Sequence, residues 1–105
     1  MGFNIKPTGQ LQSPTFTKLN LSTGAAGVSG TATLAAGTVT INTTAVTAAS
    51  IIIATIKASA GTPVGAKLAV PTRTPATSFV VNSIDVATGA TVATDTSTID
   101  WVLFN

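Results

Sequence analysis

The chain contains no cysteine, no histidine, no glutamate and no tyrosine. Without cysteine there is no disulfide framework and no thiol chemistry. Without histidine and glutamate the commonest general bases and most transition-metal ligands are missing, and a serine nucleophile has no base to activate it. Charge is scarce as well. Lys6, Lys18, Lys57, Lys67 and Arg73 stand against Asp85, Asp95 and Asp100, and nothing between Leu19 and Ile56 is charged. Cations so scattered form no stripe or patch, which argues against nucleic acid as a partner. Aromatic residues are limited to four Phe and one Trp, so the core is thin and self-association becomes a natural way to bury more area. Long apolar runs are absent too. Ala45 to Ile56 is broken by Thr47, Ser50 and Thr55, well short of the roughly 20 apolar residues a membrane helix needs. The opening residues also lack the basic and apolar regions of a secretory signal. Neither cofactor nor membrane is expected.

What fills the chain instead is Thr, Ala, Val and Ile. A surface helix lines its outward face with Lys and Glu, and the uncharged segment offers neither. A strand can turn threonine outward, because a β-branched side chain suits the pleat and its hydroxyl stays hydrated. Thr38 to Thr43 alternates Val39 and Ile41 with Thr38, Thr40 and Asn42. Thr77 to Ile84 sets Phe79 and Val81 inward, and Thr98 to Phe104 alternates Ile99, Trp101 and Leu103 with Asp100, Val102 and Phe104. Ser50 to Lys57 is apolar on both faces, with Ile51 and Ile53 on one and Ile52, Ala54 and Ile56 on the other. Such a strand needs cover on both sides, one from a second sheet and one from a neighbouring subunit. Lys67 to Val70 reads as a short strand ended by PTRTP, where Pro71 and Pro75 exclude a central strand. Turn signals at Ala35-Ala36-Gly37, Gly61 to Gly65 and Gly89 separate these runs. The pattern predicts an all-β fold, an antiparallel, jelly-roll-like β-sandwich of about six to eight short strands. Residues 1–22, with Pro7 and Pro14 and irregular apolar spacing, read as an extended N-terminal arm, and residues 23–105 as the sandwich domain.

Few residues carry candidate chemistry. Asp95 lies in the turn-like ATDTST, where an Asp caps its own backbone. Asp100 alternates with Trp101 and faces outward. Gly24-x-x-Gly27-x-x-Gly30 lacks the ending of a phosphate loop. Trp101 reads as core rather than as a sugar platform. Arg73 is either a partner contact or a solvated loop tip. No catalytic, metal or cofactor set is assembled.

Two segments, GTATLAAGTVTINTTAVTAASIIIATI and ATSFVVNSI followed by ATDTSTIDWVLFN, resemble stretches of small structural proteins of tailed bacteriophages. The likeness spans Gly30 to Asn105. Those modules often carry a basic or polar residue after the serine where this chain has Ile51, which points to a more deeply covered strand here. The resemblance implies a trimeric β-sandwich of the virion with no enzymatic activity, made in the host cytoplasm. The leading expectation is a capsid decoration or cement protein on the outer capsid surface. As a homotrimer it would bridge copies of the major capsid protein through the arm residues Phe3, Ile5, Lys6, Leu11, Phe16 and Lys18. Its own subunits would meet through Ile51, Ile53, Val102 and Phe104. The alternative is a tail-fibre or head-fibre module that binds host-surface receptors.

Overall fold

A computed structural model describes residues 19–105. The arm residues Phe3, Ile5, Lys6, Leu11, Phe16 and Lys18 therefore lie outside the described residues. Six strands form: β1 (Ser29–Thr33), β2 (Thr38–Asn42), β3 (Ile51–Ala58), β4 (Lys67–Thr74), β5 (Ser78–Ile84) and β6 (Thr98–Phe104). Among the described residues there is no helix, and so none long and apolar enough to cross a membrane.

The strands make two antiparallel three-stranded sheets, ordered β1-β6-β3 and β2-β5-β4. The small β-sandwich expected from the alternation is what forms. Its core is Leu34, Ile41, Val46, Phe79, Val81, Ile99, Trp101 and Leu103. These are the inward positions of β2, β5 and β6, with Leu34 and Val46 added from the connections. Phe79 and Trp101 meet across the sheets, ring centres 5.1 Å apart and planes at 75°. That edge-to-face geometry adds about 0.5–1.5 kcal/mol beyond area burial. Gly30 lies opposite Trp101 in the β1–β6 ladder, and a Cβ there would stand 3.0 Å from the indole Nε1. The missing side chain lets the indole lie across β1.

β4 departs from the sequence expectation. It continues through Pro71 to Thr74, where a strand end was predicted. Its ladder with β5 breaks register between Ala69 and Thr72. Proline lacks an N–H and is tolerated at an edge or a bulge, and Pro71 occupies both. Arg73 is thereby drawn out of the predicted loop. Its Nε donates to the Ser50 carbonyl at 2.8 Å and an Nη to the Val70 carbonyl at 3.2 Å. The guanidinium thus ties β4 to the entrance of β3, in the other sheet.

Candidate functional site

The outward faces of the two sheets differ in kind. Sheet β2-β5-β4 turns out Thr38, Thr40 and Asn42, and Thr38 Oγ1 donates to Asn82 Oδ1 at 2.6 Å. Sheet β1-β6-β3 is polar around Asp100, where Thr31 Oγ1 donates to Asp100 Oδ1 at 2.6 Å, and along β1, where Ser29 flanks Val102. Away from Asp100, Ile51 pairs with Phe104 and Ile53 with Val102. Ile51 is 63% exposed, Ile53 51% and Phe104 50%. The pleat sends alternate residues to opposite faces, so these pairs share the outer face while Ile52, Leu103 and Trp101 point inward. The four residues expected at a subunit interface therefore form one contiguous apolar patch. Among the described residues only the inner face of β3 is covered. The deeper cover expected at Ile51 is not supplied by the described residues.

The three carboxylates stand in three different settings. Asp100 is exposed beside Thr31. Asp85 closes a turn, its Oδ1 accepting the Ala87 N–H at 2.8 Å. Asp95 is fully buried. It caps its own turn as expected, Oδ1 accepting the Ser97 N–H at 2.9 Å. Sequence reasoning missed its longer reach. Oδ2 accepts the Ser83 hydroxyl at 2.5 Å and the Gly65 N–H at 2.9 Å. Burial alone would raise its pKa, but the hydrogen bonds from Ser83, Ser97 and Gly65 together outweigh it and hold the carboxyl at about 2. A group with such partners is a structural clasp, with no proton to give at neutral pH and no free lone pair aimed at solvent. Trp101 is core, as the alternation predicts.

Above this clasp the β3–β4 and β5–β6 loops enclose an open cleft of about 390 Å³. Pro63, Val64 and Ala66 line one wall, and Asp85, Thr88 and Thr91 the other. No sequence signal marked it, because its walls are about two dozen residues apart along the chain.

A comparison with protein families matches residues 24–104 to the K1 capsule-specific polysaccharide lyase, C-terminal domain. The chain belongs to this family. Neither the curated proteins nor the solved structures gave a match. Membership in the K1 lyase C-terminal family supports the resemblance to a phage structural protein and lends nothing to a capsid decoration type. The matched residues take in all six strands, so the family relation and the sandwich concern the same unit.

Proposed function

We propose that this chain is a non-catalytic module of a phage tail fibre or tail spike, acting at the host surface as a self-associated subunit. The observation that carries this reading is the family match, to the C-terminal part of a lyase named for a capsule polysaccharide. The site chemistry agrees with it. The lone buried carboxylate is committed to Ser83, Ser97 and Gly65, and the sequence offers no histidine, glutamate or cysteine beside it. The family match favours the tail-fibre alternative over shell decoration.

Self-association follows from the apolar patch. A side chain of this size gains about 1.5–3 kcal/mol on full burial, and the exposed halves of Ile51, Ile53 and Phe104 gain a corresponding share when a second copy covers them. A homotrimer brings the three patches towards one axis and leaves the hydrated β2-β5-β4 faces outside. Light scattering on the purified protein should give three times the chain mass. Antibody labelling of virions under the electron microscope separates the two virion readings. A few copies at the tail are expected, and label over the whole shell would overturn the tail assignment.

A further inference from the structure

We propose that the cleft between the β3–β4 and β5–β6 loops binds a neutral pyranose of a host-surface glycan. This deepens the host-surface reading above and rests on it. The cleft is built on fixed supports. Gly65 is held from below by Asp95 at 2.9 Å, the Pro63 carbonyl accepts the Thr94 hydroxyl at 2.7 Å, and Ala66 N–H donates to the Ile84 carbonyl at 3.1 Å. The opposite wall is tied by an antiparallel bridge between Ile84 and Thr91 and by Val92 N–H to the Ser83 carbonyl at 2.9 Å. A preformed site loses little ordering entropy when a ligand enters. At about 390 Å³ the space falls at the low end of ligand pockets, which span about 300–1,000 Å³, a size for one or two sugar rings.

The lining sets the ligand class. Asp85 uses Oδ1 on Ala87, and its Oδ2 has no partner among the described residues, so it can accept a hydroxyl. Thr88 Oγ1 accepts the Ala90 N–H at 3.2 Å, which leaves its own proton to donate. The Thr91 hydroxyl is unpartnered among the described residues. Pro63, Val64 and Ala66 offer an apolar wall for the C–H face of a ring. Among the described residues no Lys or Arg lines the cleft, so a carboxylate-bearing sugar would meet Asp85 without a counter-charge. A neutral, polyhydroxylated ring satisfies both walls.

The test is an NMR titration of the full-length, isotope-labelled protein with the methyl glycosides of glucose, galactose, mannose and fucose, and with glucuronate as the anionic counterpart. At least one neutral glycoside should shift the amides of Val64, Ala66 and Thr91 with millimolar saturation, and glucuronate should not. Asp85→Asn keeps an oxygen for Ala87 and should preserve the spectrum while weakening binding about tenfold, the loss of one charge-assisted hydrogen bond. Thr91→Val should weaken it independently. Unchanged binding in Asp85→Asn, shifts confined to other surfaces, or no shift with any sugar would each overturn the cleft assignment. A parallel measurement of the unmodified protein on encapsulated cells keeps the two readings apart. Cell binding without cleft shifts overturns the cleft alone, and loss of both removes the host-surface reading as well.

Discussion

Ala36 and Gly37 turn the chain between β1 and β2 with φ of 53° and 79°, closed by Ala35 N–H to the Thr38 carbonyl at 2.9 Å and Thr38 N–H back to Ala35 at 3.2 Å. Two consecutive positive φ values in a two-residue loop favour Asn-Gly, and alanine is the poorer choice at the first position. Ala36→Asn should therefore stabilise the fold by about 0.5–1 kcal/mol, read as a higher urea midpoint at unchanged slope. Asp95 makes the opposite case, a residue already close to optimal. Its folded pKa of about 2 lies below the ordinary 3.8, so folding favours the ionised form. That contribution, about 2 kcal/mol, is full above the unfolded pKa and disappears as pH falls through the folded value. Its share of the stability should hold from neutral pH to about pH 5 and fall between about pH 5 and pH 2. Asp95→Asn should cost about 2–3 kcal/mol at pH 7 and abolish that acid-side drop, because an amide NH₂ then faces donors.

β3 and β4 are both edge strands of eight residues, and they treat their edges differently. β4 carries Pro71, a register break and the charged Lys67 and Arg73, the usual devices that discourage a further strand. β3 carries Ile51 and Ile53 outward and meets its first charge only at Lys57, where its own register with β6 shifts. Ile53→Lys should leave the circular dichroism spectrum and the monomer's melting unchanged, since the side chain is half exposed, and should reduce the light-scattering mass to that of one chain. A trimer that survived this change would move the interface elsewhere. The alternations of β2, β5 and β6 were legible in the sequence because period-two burial is written locally. The first half of β4, Lys67 to Val70, was legible too, but its continuation through Pro71 to Thr74 was not, because whether a proline is tolerable depends on which neighbour its strand lacks, a matter of sheet order. The cleft and the Asp95 clasp were illegible for the same reason. Gly65, Ser83 and Asp95 come together only after the loops are laid over the sandwich.

At the scale of the whole molecule, one sandwich sets two distinct surfaces apart. The apolar end of the β1-β6-β3 face suits self-association, and the cleft between the loops offers a recessed space to ligand. Because Asp85 and Thr91 are distinct from Ile51, Ile53, Val102 and Phe104, the Asp85→Asn and Ile53→Lys variants should fail separately, one in sugar titration and one in mass. The strand order carries a further implication for how the protein is made. β6 lies between β1 and β3, so neither of those earlier strands has a hydrogen-bonding partner until the sixth has been synthesised. A ribosome releasing this chain sends out the isoleucine-rich third strand well ahead of the one that will shelter it, and half of the sandwich stays open to misassociation through that interval.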